Sequence, residues 1–417
     1  MRVLQVVHNF AAEHRGGTER YTVELGRALA ARHEVEVFTT RLGPDFALER
    51  GGRDGLAVTI LDQPRAGSFR HRNAVQREVG RRFTEHARAF GADVVHVQHL
   101  IDVSPSILGV PRRLGVPGVV SLHDFWYVCP RTTLLRKDGS VCHTGPRGGW
   151  ACVRHCYPST GREDHADIAP EARRRRPRDL AYVARHRRLR RALRDVDRFV
   201  SGSAFTRDTY ARLGVNPSRI DVIPWGMPRP GERPARYAPQ PPLRFAFLGS
   251  LSPAKGADIA IEAFAGIDPS RAMLTLHGPI GEHQVERFRA LLLAAPHVRW
   301  AGPYEPPELD AILGAADAVV TPSRALENYP LVVQEAFQRG VPMLVSRAGA
   351  LPEVVRDGVD GIVFGDGAGQ LRDAVEGLVD APSRLRELAD AVPPVKPMEA
   401  HAREIEALYE RLRAGAA

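Results

Sequence analysis

The chain has 417 residues, 43% of them hydrophobic and 26% charged. That is too long for one ordinary core and too apolar for a disordered chain, so two globular domains are expected. No apolar run reaches the roughly 18 residues that a membrane span requires. The N-terminal MRVLQVVHN starts as a strand rather than as a basic-then-apolar leader, which points to the cytoplasm. The net charge is +9, from 58 basic and 49 acidic residues. Only Lys137, Lys255 and Lys396 are lysine, an arginine bias of the kind a GC-rich genome produces, which makes each lysine more informative.

The first half alternates short apolar runs with amphipathic stretches. Strands are predicted at Val3–Val7, Val35–Phe38, Ala57–Leu61, Val94–Val97, Gly118–Leu122, Arg198–Ser201 and Ile220–Ile223. Helices are predicted at Thr18–Ala31, Ala74–Phe90 and Ala204–Leu213. That rhythm means βαβ units around a parallel sheet. After the first strand comes RGGTERYTVELGRAL, in which Gly16 and Gly17 permit a tight turn and Thr18 can cap a helix. It is not G-x-G-x-x-G, which weakens a dinucleotide reading. Arg15 and Arg20 are candidate contacts beside it, although a plain strand–helix turn accounts for the same residues. After Gly118–Leu122 comes LHDFWYVCPR. His123 and Asp124 lie just past a strand's carboxyl end, where open parallel sheets bind ligands. Phe125, Trp126 and Tyr127 suit either a stacking platform or the core.

Cys129, Cys142, Cys152 and Cys156 are the only cysteines, and they share a loop rich in Gly, Pro and Arg. Four thiolates there suit a structural tetrahedral zinc, with His143 or His155 able to replace a ligand. An iron–sulfur cluster, free thiols or disulfides are the other readings. The basic stretch 171–195 reads as a solvated helix face, as a surface for anionic lipid or a phosphorylated acceptor, or, with no aromatic interleaving, least well as a nucleic-acid site. The Pro-rich residues 227–242 read as an interdomain linker. A second α/β rhythm follows, with strands at Arg244–Leu248, Met273–Leu276, Val298–Trp300, Ala318–Val320, Met343–Val345 and Gly361–Phe364, and a final helix near Glu399 to Arg413.

Two motifs in this half carry chemistry. In TPSRALENYPLVVQEAFQRGVP, a strand runs through a short loop into a helix that Asn328 can cap, with Pro330 in its first turn. Glu327 sits in the loop and Glu335 about one turn into the helix. The free amides between them form an anion site. In RFAFLGSLSPAKGADIAIEAF, a strand ends at Gly249, and Lys255 stands just before a helix opened by Gly256, where an ammonium can meet a diphosphate.

These motifs, with the continuation GVPMLVSRAGALPEVVRDGVDGIVF, resemble the paired-glutamate pattern of retaining glycosyltransferases of family 4, over nearly the whole chain. The resemblance implies a GT-B fold: an α/β chain of two doubly wound Rossmann-like domains facing across a cleft. It implies an acceptor-binding domain at 1–228 with the cysteine loop 129–156, a linker at 229–242, a nucleotide-sugar domain at 243–396, and a helix at 397–417 crossing back to the first domain. It implies EC 2.4 hexosyl transfer from a nucleoside-diphosphate sugar, UDP rather than GDP, to a glycan, lipid-linked or natural-product hydroxyl.

By the same resemblance Glu327, His123 and Lys255 are the catalytic candidates. The sugar-nucleotide contacts fall on Gly17, Gly249, Ser250, Lys255, Arg324, Asn328, Tyr329, Pro330, Leu331, Val332 and Glu335. Acceptor contacts fall on Arg15, Gly16, Asp124, Trp126 and Tyr127. Ser250 replaces the arginine of the family's G-R-L-x-x-x-K-G, so Arg324 is the expected substitute cation. No catalytic metal is expected, nor any nucleic-acid partner, while residues 171–195 offer a peripheral contact at the inner membrane face. The competing readings are a same-fold inverting transferase or epimerase, and a non-catalytic lipid- or polyanion-binding protein.

Overall fold

The computed structural model describes residues 1–10, 16–64, 76–136, 138–143, 145, 147–156, 179–228 and 239–416. Arg15, residues 157–178 with the first part of the basic stretch, and residues 229–238 of the expected linker lie outside the described residues. The described chain falls into two compact units. One runs to Pro228 and takes up the chain again from Lys396; the other ends at Val395.

The first unit is built on β1 (Arg2–Val6), β2 (Glu34–Leu42), β3 (Leu48–Arg53), β4 (Leu56–Gln63), β5 (Val94–Val97), β6 (Gly118–Ser121), β7 (Arg198–Ser201) and β8 (Ile220–Val222). Their order is β3-β4-β2-β1-β5-β6-β7-β8, and only the β3–β4 pairing is antiparallel. The central strands are buried at every position, as expected where helices cover both faces of a sheet. The sequence pattern missed β3, LERGGR, because all six residues are exposed and none carries an alternating apolar signal.

The second unit contains β9 (Leu243–Leu248), β10 (Ala272–His277), β11 (Arg299–Gly302), β12 (Ala318–Thr321), β13 (Met343–Ser346) and β14 (Gly361–Phe364), in the order β11-β10-β9-β12-β13-β14, all parallel. Side chains alternate along a strand, so β9 feeds two cores. Phe245 and Phe247 join Ala318 and Val320 on one face. Ala246 and Leu248 join Val319, Met343 and Val345 on the other. Two apolar faces with helices on each make the unit doubly wound. The edge strand β11 starts one residue later than its apolar pattern suggests, because its residues are solvated and Trp300 is 43% exposed.

In both sheets the winding reverses beside the first strand, between β1 and β5 and between β9 and β12. Loops that leave adjacent strands in opposite directions open a crevice at such a point, where ligands of this architecture bind. The loops after β1, β5 and β6 and those after β9 and β12 are therefore the places to look for chemistry.

The final helix, Met398–Ala416, belongs to the first unit. Met227 and Met398 tie its start through the pairs Met227 N to Lys396 O (2.9 Å) and Met398 N to Met227 O (2.8 Å). Two buried polar contacts fix its register. His401 Nε2 lies 2.6 Å from Tyr21 Oη, and His96 Nδ1 lies 2.6 Å from Tyr409 Oη while its Nε2 lies 2.9 Å from Ser121 Oγ. Burial, reinforced at His96 by His123 and His401 and at His401 by Lys396, pushes His96 and His401 each down to about 3. Both are neutral when folded and titrate near 6.5 when unfolded. As pH falls the unfolded chain binds the protons first, so the stability is complete above about pH 6.5 and is lost toward pH 3. The slope is at most about 1.4 kcal/mol per pH unit for each histidine. The urea midpoint is expected to hold from about pH 8 to 7 and to fall by pH 5. His401→Gln, which keeps a partner for Tyr21, is expected to flatten that fall.

Candidate active site

In the second unit the site forms where two loops lie against each other. The loop after β9 turns at Gly256, whose φ of 72° is left-handed and whose missing Cβ leaves room for the Pro322 carbonyl. The amides of Arg324 and Ala325 both donate to Ala254 O at 2.9 Å. With the backbones stitched in this way, Lys255 Nζ donates to Glu327 Oε1 at 2.8 Å and Ser323 Oγ donates to the same oxygen at 2.7 Å. The Glu327 side chain is 12% exposed and that of Lys255 is 43% exposed. A half-exposed pair of this kind contributes at most about 1 kcal/mol to stability, so its value is in placing an ammonium and a carboxylate side by side beyond the strand ends. Ser323 was missed in the sequence, where it is one serine among many. Ser250 is exposed just after Gly249.

The helix Leu331–Gln338 follows Glu327. Asn328 does not cap it: Pro330 occupies the cap position, without a side-chain cap, and Asn328 is buried two residues earlier. Pro330 has no N–H, so the first amides at the helix start are those of Leu331 and Val332, which have no ladder acceptor of their own. Glu335 lies one turn in and is 4% exposed. Tyr329 is half-buried, and burial, reinforced by Glu353, raises its phenol.

Arg324, the expected substitute cation, stands against the loop that carries Lys255. Its guanidinium donates to Asp258 Oδ1 (2.6 Å) and Pro253 O (2.8 Å), and Arg287 donates to the other oxygen of Asp258 at 2.8 Å. Arg324 therefore clamps the Lys255 loop through a buried carboxylate while its own side chain stays 39% exposed. A further residue that the sequence reading passed over is Gly349. At φ 67° it packs on the Glu327 backbone, where Ala350 N donates to Glu327 O at 2.7 Å.

In the first unit, the ends of β1, β5 and β6 gather a buried polar set. His8 Nε2 lies 3.2 Å from Oε1 of Glu19, a carboxylate in the first turn of the helix Gly17–Ala30. That helix begins after Gly16, so Thr18 is not its cap; Gly16 and Gly17 are exposed at its entry. The His8 ring meets the His99 ring at 4.6 Å, and His99 Nε2 lies 3.2 Å from both oxygens of Asp124. Trp126 N donates to Asp124 Oδ1 at 2.7 Å. His123 Nε2 lies 3.1 Å from Gln98 Oε1. Burial, then the neighbouring His99, pushes His123 down to about 3, so its imidazole is neutral. Burial alone would raise Asp124; His99 and the hydrogen bonds outweigh it and hold the carboxyl below its usual range.

Trp126 and Tyr127 are a correction. At 1% and 2% exposure they are core, not a stacking platform, and so is Phe125. The aromatic rings around His123 are instead Tyr21, 4.9 Å away, in the RGGTERYTVELGRAL stretch, and Trp225, 5.2 Å away, which no local motif marks. In the described part of the basic stretch, the helix Asp179–Ala192 exposes Arg187, Arg188, Arg190 and Arg191 but buries Arg185. Cys129, Cys152 and Cys156 are buried, Cys142 is half-buried, and none is in a disulfide.

Fold and site together define a glycosyltransferase of the GT-B class. Residues 15–228 match the model described as Glycosyltransferase Family 4, and residues 229–392 match that of Glycosyl transferases group 1. The chain belongs to this glycosyltransferase family and is an enzyme of the EC 2.4 type. It is similar to the D-inositol 3-phosphate glycosyltransferase 1 of Catenulispora acidiphila, 29% identical over 399 residues that cover 89% of this chain and 84% of the relative. It is 34% identical over 228 residues to the D-inositol 3-phosphate glycosyltransferase of Nocardia farcinica, covering 49% of this chain and 50% of that one. Its fold is similar to that of sucrose-phosphate synthase from Thermosynechococcus elongatus (TM-score 0.70, 19% identity, 99% of each chain covered). It is also similar to that of Anabaena HepE in complex with UDP and glucose (TM-score 0.66, 16% identity, 98% of this chain and 99% of that one).

Gly349→Ala forces a side chain onto the Glu327 backbone at a left-handed φ. Transfer activity is expected to fall at least tenfold with a modest loss of melting temperature. Wild-type activity in the variant would show that the Glu327 loop is not held from this side.

Proposed function

We propose that this enzyme is a retaining glycosyltransferase that moves a hexose from a nucleoside-diphosphate sugar, UDP in preference to GDP, to a hydroxyl acceptor. The observation that carries the proposal is the Lys255–Glu327 contact at 2.8 Å, set beside a helix that buries Glu335 at the winding reversal of the second unit. In this reading the second unit, here residues 243–395, binds the sugar nucleotide and the first binds the acceptor.

The roles follow from charge. Glu335 accepts hydrogen bonds from the vicinal ribose hydroxyls. Lys255, already placed against Glu327, meets the diphosphate, and the amides of Leu331 and Val332 add partial positive charge there. Glu327 Oε1 is taken by Lys255 and Ser323, which leaves Oε2 for a sugar hydroxyl. His123, kept neutral by burial, is a hydrogen-bond partner for the transferred sugar. The leaving phosphate takes the acceptor proton on the face from which it departs, so the configuration at the anomeric carbon is retained. Catalysis rests on stabilising the charge that develops on that phosphate.

The D-inositol 3-phosphate glycosyltransferases among the relatives support sugar transfer, and the HepE structure in complex with UDP-glucose supports a UDP-sugar as its donor. Among the described residues no helix is long and apolar enough to cross a membrane. We place the protein in the cytoplasm, with the exposed arginines of residues 187–191 available to an anionic surface.

Lys255→Ala is expected to lower turnover about 10²–10³-fold, the scale of losing one charge-stabilising group, with a smaller change in KM. Nuclear magnetic resonance of the product made from α-configured UDP-sugars is expected to show an α linkage. A β linkage would move the reading to an inverting transferase, and full turnover without Lys255 would show that the diphosphate binds elsewhere.

A further inference from the structure

A neutral imidazole has one donating and one accepting nitrogen, and the partner of the one decides the role of the other. At His123 that partner is Gln98, whose Oε1 lies 3.1 Å from His123 Nε2. Gln98 Nε2 in turn donates to Gln5 Oε1 at 2.9 Å. Gln5 and Gln98 are fully buried. Gln98 N donates to Val6 O at 2.7 Å, which clips the loop after β5 to the end of β1. An amide that gives its N–H to Gln5 turns its carbonyl oxygen to His123. A carbonyl only accepts, so Nε2 is the nitrogen that carries the hydrogen.

Nδ1 of His123 is then the accepting nitrogen. It has no hydrogen-bond partner among the described residues, and the residue is only half-buried. The next residue has the same character. Ile101 N donates to His99 Nδ1 at 3.1 Å, so the hydrogen of His99 is on Nε2, 3.2 Å from both oxygens of Asp124. Asp124 is held in this way as a carboxylate, with its side chain 34% exposed. Past the end of β6, two successive side chains therefore offer lone pairs rather than hydrogens to a ligand. Burying two amide side chains costs free energy unless each is hydrogen-bonded. Apolar residues of similar size carry no such cost, so what the glutamine pair adds is a fixed direction for the hydrogen bond.

We propose that Gln98, itself oriented by Gln5, is a positioning residue that fixes His123 as the Nε2–H tautomer, so that Nδ1 accepts a hydrogen from one hydroxyl of the transferred sugar. The inference rests on the reading in which His123 meets that sugar. It adds a substrate class, neutral hexoses that carry a hydroxyl at that position. A sugar with a hydrogen there leaves Nδ1 unpaired. A sugar with a carboxylate there brings a second acceptor up to Nδ1, beside the charge of Asp124. The titratable groups facing His123 are His8, His96, His99, Asp124, His401 and Tyr21. Burial and His99 hold the ring neutral far below physiological pH, so the accepting nitrogen stays available across that range.

Nitrogen-15 magnetic resonance of the full chain, labelled at histidine, reads the tautomer directly. The signals that disappear in His123→Gln are expected to be those of an Nε2–H ring. In Gln98→Leu they are expected to move toward a mixture of the two tautomers. In Gln98→Glu the new carboxylate raises the pKa of His123. Below that pKa Nδ1 is protonated and cannot accept, so kcat/KM is expected to fall on the acid side at a higher pH than in the wild type. A purely structural Gln98 would lower stability or turnover without moving that limb. Calorimetry then compares UDP-glucose with its monodeoxy analogues. One analogue is expected to bind about tenfold or more weakly, and that difference is expected to vanish in His123→Ala. If the Gln98 variants fail to fold, the wild-type tautomer and the analogue series still decide. An Nδ1–H tautomer in the wild-type chain, or the same analogue penalty in His123→Ala, would overturn the proposal. If UDP-glucose does not bind at all, the donor reading fails, while the tautomer still decides the role of Gln98.

Discussion

The ammonium of Lys255 and the carboxylate of Glu327, 2.8 Å apart, join two loops that leave adjacent strands in opposite directions. That contact depends on everything beneath it. β9 and β12 must be neighbours although about seventy residues separate them, and the order β11-β10-β9-β12-β13-β14 makes them so. Gly256 must turn against Pro322, and Gly349 must leave room for Glu327. Asp258, buried at the start of the next helix, gathers Arg287 and Arg324 and stiffens the loop from behind. The pair itself adds little to stability. It is a product of the fold, and a place where a diphosphate and a sugar hydroxyl find charge already positioned.

The first unit solves a different problem. It buries His96, His123 and His401 as neutral rings among Tyr21, Trp225, Tyr409, Ser121 and Gln98. Desolvation makes protonation costly there. A neutral imidazole can give one hydrogen bond and accept another, which suits recognition of hydroxyls better than recognition of a charged group. The same network carries the last helix, so the surroundings of His123 and the anchoring of the chain's end are one structure.

The fold was legible in the sequence because a strand covered on both faces is a short apolar run, and such runs alternate with amphipathic stretches along the whole chain. Glu327, Glu335 and Lys255 were legible because each sits in a strand–loop–helix setting whose local chemistry can be read in a line of text. What was not legible depends on distant contacts. Nothing near Trp126 shows that its ring lies under Arg185, or that Tyr21 and Trp225 supply the rings beside His123. Nothing near Arg324 shows that Asp258 holds it. Asn328 had the right residue type for a helix cap, but the helix begins after Pro330, because a proline disfavours helical conformation in the residue before it. The exposed strand β3 had no apolar pattern to give it away.

The central claim is that the second unit holds a nucleoside diphosphate through Glu335 and Lys255. Calorimetric titration of the whole protein with UDP, GDP and ADP tests it most directly. The account predicts selective binding of UDP, weakened by about 1.5–3 kcal/mol in Glu335→Ala, the scale of hydrogen bonds to a charged group. Binding of none of the three by folded protein, or affinity untouched by Glu335→Ala, would contradict it.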